Sequence, residues 1–201
     1  MWPWEHVLVG YVVFSLFRHA TTREPPTERE ALLVAFGALL PDLVDKPLAW
    51  EFGVFESGYA LAHSVLFAVP VALAAVLLSR VLGTGRSGLA FAVGYLLHLV
   101  GDVVPVYART GEVFVDHLLW PVVVVRNVGQ PFGLFEGVRR NLTPYVESVL
   151  AADPSTYFLL KLLVGGTALA LWVLDGAPGP RGLYVGARRT YTTIKRYASP
   201  G

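Results

Sequence analysis

Six stretches of apolar residues, separated by shorter polar segments, make up most of the chain. They cover residues 7–17, 31–40, 59–78, 87–106, 113–125 and 157–174. A helix needs about 20 apolar residues to cross the hydrocarbon core of a bilayer. The third and fourth stretches reach that length, the sixth comes close, and the other three are shorter. The pattern predicts an all-α, multi-pass transmembrane bundle of about five to six helices.

Residues at the ends of these stretches predict where several helices begin and end. Thr27 and Glu30 form a capping box before the second stretch, which is typical of a helix N-terminus. Pro41 follows the second stretch, and Pro105 lies at the end of the fourth. Because the residue before a proline avoids the α conformation, we expect both helices to end there. The fifth stretch is short and contains Pro121, so we favour a bundle in which it does not span the membrane.

Composition supports a membrane protein and excludes several other classes. Hydrophobic residues make up 54% of the chain and charged residues 15%, whereas about 25% charged residues is usual in soluble domains. The chain has no cysteine, which rules out disulfides and thiolate ligands, and its net charge of +1 gives no basis for nucleic-acid binding. The first apolar stretch has no cationic segment before it and no cleavage site after it. We therefore expect a retained helix rather than a signal peptide.

Two regions are expected from the distribution of polar residues. Residues 1–175 are predicted to form one membrane-embedded domain, and residues 176–201 a basic, polar tail. The basic residues of this tail are Arg181, Arg188, Arg189, Lys195 and Arg196. Within the embedded domain, Lys161 has no acidic partner on its own helix, so we expect its ammonium group to snorkel towards the interface.

Histidine and aspartate residues recur at alternate ends of the predicted helices. They are His6 at the start of the first helix, Asp42 and Asp45 after the second, His63 early in the third, His98 and Asp102 late in the fourth, and Asp116 and His117 early in the fifth. Successive helices alternate in direction, so all of these positions fall at one side of the membrane. His19 falls at the other side, which is rich in arginine. Cytoplasmic segments are enriched in basic residues, so we expect the His/Asp side to be extracytoplasmic.

The side chains at this end are those of a metal site. His98 and Asp102 stand four residues apart, so both project from one helix face. Imidazole and carboxylate ligands without sulfur favour Zn²⁺, with Mn²⁺ or Fe as alternatives. The cluster is too large for one tetrahedral ion and large enough for two. Asp116 and His117 point about 100° apart on a helix, so we expect only His117 to face the centre. Taken singly, His63 could instead be a core histidine satisfied by a carbonyl, and Asp42 a solvated loop residue.

The order of these motifs resembles a known family. The segments are His6, Pro41-Asp42-Leu-Val-Asp45, His63-Ser64, His98-Leu-Val-Gly-Asp102 and a later His117. Together they resemble the membrane-bound metal-dependent hydrolases of the YdjM type, also described as LexA-binding, inner-membrane-associated hydrolases, over about residues 1–125. The His-xxx-Asp pair is also similar to that of the helical zinc-dependent phospholipases C.

The resemblance implies a ligand set and a reaction class. The implied metal ligands are His6, Asp42, His63, His98, Asp102 and His117. The implied reaction is hydrolysis of a phosphoester or lipid-like substrate at the membrane interface of a prokaryotic plasma membrane. A carboxylate not used as a ligand, Asp45 or Asp116, is expected to accept a proton from water. The chain departs from the family at Gly58-Tyr59-Ala60, where a His-Arg-Gly run is common. This departure implies altered substrate contacts or lost activity.

Two other functions use the same residues. A metal-ion or proton transporter predicts ionisable groups that continue across the bilayer, whereas here they gather at one side. A structural membrane module predicts a cluster that only stabilises helix ends. Burying charges in a membrane without partners is costly, about 2.5–3.5 kcal/mol for an aspartate at a helix centre, and this cost argues against the structural alternative.

Overall fold

The chain folds into helices, in agreement with the all-α prediction. The computed structural model describes residues 1–126, 131–151 and 156–180, with residues 182, 184, 188 and 191. The described residues contain no strand, and their helices are α1 (Pro3–Thr22), α2 (Glu28–Trp50), α3 (Val65–Val81), α4 (Ser87–Thr110), α5 (Leu134–Leu150) and α6 (Thr156–Leu174). The predicted basic tail lies mostly outside the described residues.

One described helix is long and apolar enough to cross a membrane. It covers Ser87–Ala108 within α4, a length of 22 residues. The apolar segments Val65–Val81 of α3 and Phe158–Leu174 of α6 are shorter. Length and composition therefore support one crossing, and the predicted multi-pass arrangement stays a prediction.

Glycines let three helix backbones meet at the centre of the fold. A Cβ atom on Gly37 of α2 would lie 2.3 Å from the Phe91 carbonyl oxygen, and one on Gly94 of α4 would lie 2.2 Å from the Val34 carbonyl oxygen. A Cβ atom on Gly10 of α1 would lie 3.1 Å from Cγ1 of the same valine, Val34. Small residues allow such close approach between membrane helices. The α1, α2 and α4 helices thus form a tight unit that holds their polar ends together.

Helix α6 runs beside α1 and in the same direction. Near its start, Lys161 Nζ lies 2.9 Å from Glu5 Oε1. Just beyond its end, Asp175 accepts hydrogen bonds from Tyr11 and Ser15, both at 2.7 Å, and pairs with His19 at 2.7 Å. The expectation that Lys161 only snorkels is therefore wrong, because a carboxylate of α1 faces it.

Two predicted helix ends are wrong. Helix α2 continues through Pro41 to Trp50, and α4 continues through Pro105 to Thr110. A proline removes one intrahelical hydrogen bond, but tertiary contacts can hold the helix together around it. Pro41 removes the hydrogen bond to the Gly37 carbonyl, but α2 packs closely on α4 at Gly37, and His98 Nδ1 of α4 donates to the next carbonyl, that of Ala38, at 2.7 Å. As a result Asp42 and Asp45 lie on a helix and not in a loop.

The fifth apolar stretch contains no α-helix. Its ordered element is a 3-10 turn at Asp116–Leu118, which agrees with the version in which this stretch does not span. Helix α5 lies between the fifth and sixth apolar stretches, where no helix is predicted from the sequence. Its pattern could have been recognised, because Leu134, Val138, Leu142 and Val146 recur every four residues. That spacing is typical of an amphipathic helix.

The close packing of α2 on α4 predicts that a glycine-to-alanine substitution at this contact is more destabilising than one at an open position. We expect Gly94→Ala to lower the thermal unfolding temperature in detergent, because overpacking costs about 1–3 kcal/mol. Gly165→Ala is the matched control, since a Cβ atom there meets nothing within 4 Å. Thermal unfolding followed by size-exclusion chromatography measures both. Equal unfolding temperatures for the two variants would contradict this account of the packing.

Candidate metal centre

Six of the eight predicted site residues meet where α1, α2 and α4 converge. His6 comes from α1, Asp42 and Asp45 from α2, His98 and Asp102 from α4, and His63 from the loop before α3. None of the six is more than 8% exposed. Helix α3 begins at Val65, so His63 lies before it and not in its first turns as predicted. The predicted convergence of these residues is present all the same.

Two carboxylate oxygens lie near the paired Nε2 atoms at the centre of this cluster. The Nε2 atoms of His63 and His98 lie 3.2 Å apart. Asp102 Oδ2 lies 3.4 Å from His98 Nε2 and 3.6 Å from His63 Nε2. Asp42 Oδ1 lies 3.5 Å from His63 Nε2 and 3.8 Å from His98 Nε2. Ligand atoms that share a tetrahedral Zn²⁺ are about 3.3 Å apart, so these distances suit atoms that bind one ion.

The two central imidazoles are held in the tautomer that a metal ligand needs. His63 Nδ1 donates to Asp45 Oδ2 at 2.8 Å, and His98 Nδ1 donates to the Ala38 carbonyl at 2.7 Å. Both partners are acceptors, so they assign the proton to Nδ1 and leave a lone pair on each Nε2. With both rings neutral the two lone pairs face each other and repel, and either a proton on His63 Nε2 or a shared cation removes the repulsion.

Asp45 positions His63 and the chain around it. Its carboxylate accepts backbone N–H groups of Ala60, Ala62 and His63 at 2.9–3.0 Å, besides the His63 ring. The Ala62 carbonyl is in turn held by the Tyr95 hydroxyl at 2.8 Å. These contacts commit both oxygens of Asp45. The geometry therefore favours an orienting role for Asp45 over the predicted role of proton acceptor.

Asp102 faces two neighbouring positions. Its Oδ2 points to His98, while its Oδ1 lies 3.3 Å from His6 Nε2 and accepts the Met1 amino group at 3.0 Å. The His6 ring stacks on His98 with centroids 3.8 Å apart. It fits there because Gly101 has no Cβ, which would lie 2.8 Å from His6 Nδ1. A carboxylate that faces two positions is common in sites that hold two metal ions.

Two overlapping groups in the described residues could hold a metal ion. One is His6, His98 and Asp102, and the other is Asp42, His63 and His98, with the candidate ligand atoms of each group within 4.8 Å of one another. Several buried atoms around them lack a hydrogen-bond partner among the described protein groups, namely His6 Nδ1, Asp42 Oδ2 and His117 Nε2. Such unpaired atoms cost about 1–3 kcal/mol each. A bound cation with its own ligands would remove part of that cost.

The charges of the site favour a cation. Burial lowers the pKa of the His63 imidazole, but Asp42 and Asp45 beside it have the opposite effect, and the pKa ends above its ordinary value. The same negative potential that holds a proton on this ring attracts a divalent ion. Metal binding at such a site displaces protons from its ligands.

Lys46 and Tyr59 stand at the rim of the cluster. Lys46 Nζ lies 2.6 Å from Asp42 Oδ1, one helical turn away on α2. The Tyr59 ring packs edge-on against His63 at 4.8 Å and against His117 at 5.3 Å. Burial and the nearby Asp102 and Asp42 charges raise the pKa of Tyr59, so its hydroxyl stays protonated. Lys46 was missed in the sequence, although its spacing of four residues from Asp42 was a usable signal.

The last two predicted site residues lie in the short 3-10 turn. His117 is buried and contacts Tyr59, but it is not part of either group of candidate ligands. Burial lowers the pKa of the His117 imidazole. Asp116 is exposed beside it. The ligand role of His117 and the catalytic role of Asp116 stay predictions.

Comparison with known proteins identifies one sequence family. Residues 1–176 match the family described as YdjM inner membrane protein. No curated protein and no solved structure matches the chain. The match covers the described helices α1 to α6, and it extends the resemblance seen in residues 1–125 to the end of α6.

The central position of His98 and Asp102 predicts loss of metal on substitution. We expect the His98→Ala/Asp102→Ala double variant to lose most of the metal that the purified protein holds, measured by inductively coupled plasma mass spectrometry. His19→Ala is the matched control, since His19 lies at the far end of α1 against Asp175. Equal metal content in the double variant and the unchanged protein would rule out this centre.

The orienting role of Asp45 predicts a smaller effect on metal affinity. We expect Asp45→Asn to weaken metal binding by about 10–100-fold, because it loses the carboxylate that fixes the His63 ring. A competition titration with a metal-sensitive dye measures the affinity. Glu147→Gln, a change at an exposed carboxylate on α5, serves as the control. An unchanged affinity in Asp45→Asn would show that the ring needs no such support.

Proposed function

The chain belongs to the YdjM inner membrane protein family, and we propose that it is a membrane-bound, metal-dependent hydrolase. Its substrate is a phosphoester with lipid-like character that reaches the centre at the membrane interface. The observation that carries the proposal is the pair of Nε2 atoms of His63 and His98, 3.2 Å apart and flanked by two buried carboxylates. That arrangement suits a divalent cation better than any purely structural role.

The donor atoms suit Zn²⁺ first, with Mn²⁺ or Fe as alternatives. His63, His98, Asp42 and Asp102 would hold one ion. His6 and the second oxygen of Asp102 face the place for another. Bound there, the metal supplies Lewis-acid activation of water and of the phosphoryl oxygens.

The remaining residues of the site take three roles in this proposal. Asp45 keeps the His63 ring in place. The Lys46 ammonium at the rim binds the negative charge of the phosphoester, and the Tyr59 hydroxyl, which keeps its proton, donates a hydrogen bond to it. The buried His117 carries an unpaired Nε2 and a lowered pKa. This neutral imidazole therefore accepts the proton of the attacking water in place of Asp45, whose oxygens are committed.

The departure from the family at Gly58-Tyr59-Ala60 is compatible with activity. A Cβ atom on Gly58 would lie 3.2 Å from Lys46 Cγ and 3.2 Å from Trp50 Nε1. The absence of a side chain at position 58 therefore leaves room for Lys46. In this chain Lys46 supplies the positive charge that the common His-Arg-Gly run supplies in its relatives.

We also propose a multi-pass arrangement in which α1 to α4 and α6 are embedded in the membrane. The direction of α6 supports it, because Lys161 lies at the site end and Asp175 at the end that holds His19. The chain after α6 then emerges on the arginine-rich side, which is cytoplasmic by the distribution of basic residues. The metal centre lies on the extracytoplasmic side.

Hydrolysis is better supported than transport. The buried residues of α2 between Glu30 and Asp42 are alanine, valine, glycine and proline. This apolar layer is about 18 Å long, and no titratable side chain of α2 is buried in it. A transporter needs polar groups along that path. A site confined to one end suits a substrate that comes from the membrane surface.

The proposed roles predict different outcomes for His63 and His117. We expect metal-loaded protein to hydrolyse bis(p-nitrophenyl) phosphate, and dialysis against a chelator to abolish the activity until metal is restored. His63→Gln should lose both metal and activity. His117→Gln should keep its metal but turn over about 10²–10⁴-fold more slowly, because it loses the proton acceptor.

The control for both variants is His19→Gln, which should behave as the unchanged protein. Loss of metal in His117→Gln would return His117 to the ligand role predicted from the sequence. Hydrolysis that is equally fast in His63→Gln would contradict the proposal, as would metal-loaded protein that cleaves neither this ester nor a phospholipid.

A further inference from the structure

Helix α5 exposes an apolar face. Phe135, Val138, Leu142 and Val146 lie on one side of the helix and are exposed, Phe135 to 83%. The charged residues of α5 lie on another side, and they are Glu136, Arg139, Arg140 and Glu147. Arg139 and Arg140 both bind Glu136, at 2.7 and 2.8 Å. A helix whose apolar and charged side chains lie on separate sides is typical of a segment that lies in a membrane surface.

Helix α5 runs across the end of the bundle that holds the metal centre. In its first turns, the Gly133 N–H donates to the Trp50 carbonyl at 2.9 Å, and Gly137 lies against the Trp50 ring. Two turns later, Tyr145 packs on Trp2 and Trp4, with ring centroids 5.2 and 5.6 Å away. Trp50 ends α2, and Trp2 and Trp4 flank the start of α1. The two attachment points, about 12 Å apart along α5, are both at the site end.

The loops at the same end also expose large apolar side chains. Phe52 is 69% exposed in the loop after α2, and Val122 is 78% exposed in the segment after α4. Phe114 is exposed between α4 and the 3-10 turn. At the other end of the bundle, the α1–α2 loop exposes Arg23 and Glu24, and the α3–α4 turn exposes Val81 and Leu82 between Arg80 and Arg86. Loops that face water are polar, so the apolar side chains at the site end need another environment.

We infer that α5 and these loops form a collar that inserts into the bilayer surface around the metal centre. The collar consists of Phe52, Phe114, Val122, Phe135 and Val138. A bilayer is its partner because the family resides in a membrane and α4, the helix that precedes Phe114, also exposes apolar side chains at Val100 and Val104. Both arginines of α5 are paired with Glu136 in the same helix, so its attachment relies on apolar burial.

The collar defines how a substrate approaches. Trp50, which holds α5, is one turn from Lys46, and Lys46 binds Asp42 at the centre. A polar headgroup that reaches Lys46 therefore keeps its acyl chain beside the apolar face of α5. This consequence rests on the proposed hydrolase function, whereas the insertion of the collar does not. It points to a membrane-embedded amphiphile as the substrate class.

Site-directed spin labelling tests the insertion directly. The chain has no cysteine, so Phe52→Cys, Phe135→Cys and Val138→Cys each carry a single nitroxide label. Arg140→Cys on the polar side of α5 is the matched control. In liposomes, we expect collisions with oxygen to exceed those with a water-soluble nickel chelate at the three collar positions, and the reverse at position 140.

Two labelling outcomes would overturn the collar. One is nickel accessibility at positions 52 and 135 equal to that at 140, which would place them in water. The other is low accessibility to both reagents, which would indicate a protein partner there. Size-exclusion chromatography confirms that each labelled protein is folded before it is reconstituted.

A second measurement separates the collar from the chemistry. We expect Phe135→Ser/Val138→Ser to hydrolyse a vesicle-embedded phospholipid at least tenfold more slowly and bis(p-nitrophenyl) phosphate at an unchanged rate. Equal loss on both substrates would contradict a role in substrate approach. If the unchanged protein cleaves neither substrate, the hydrolase proposal fails while the labelling result still decides the collar.

Discussion

The Nε2 atoms of His63 and His98 lie 3.2 Å apart because each ring is fixed on its far side by the hydrogen bond that its Nδ1 donates. Neither ring can turn away without losing a buried partner. The two lone pairs therefore face each other between the carboxylates of Asp42 and Asp102. A positive charge at this point relieves the repulsion, and the same arrangement explains why the carboxylates can be buried at all.

Contacts elsewhere in the fold hold these side chains in place. The contacts at Gly37 and Gly94 bring the α2 and α4 backbones together, so that residues about sixty positions apart in the chain share one site. Gly101 makes room for the His6 ring. The loop before α3 carries His63 to the centre by wrapping around Asp45. Because these supports come from four segments, the site exists only when the bundle is assembled.

The two ends of the molecule differ in a way that matches a membrane location. One end holds the buried imidazoles and carboxylates beneath exposed apolar side chains, and the other combines surface arginine and glutamate with the exposed Val81 and Leu82. Between them, the buried residues of α2 are small and apolar. Helix α5 crosses the site end, and α6 returns the chain to the other end. The order of these helices along the chain therefore decides which residues lie at each end.

The amino-acid sequence by itself determined the helical class, the family and the gathering of His6, Asp42, His63, His98 and Asp102, because apolar periodicity and alternating helix direction are local properties of a chain. Only the tertiary structure decided the features that depend on contacts between distant parts of the chain. It carried α2 and α4 through their prolines, since the close packing of these two helices extends along both of them. It also gave Lys161 its partner Glu5, surrounded Asp45 with the N–H groups of Ala60, Ala62 and His63, and placed α5 across the site end. Each of these contacts depends on neighbours that are remote in sequence.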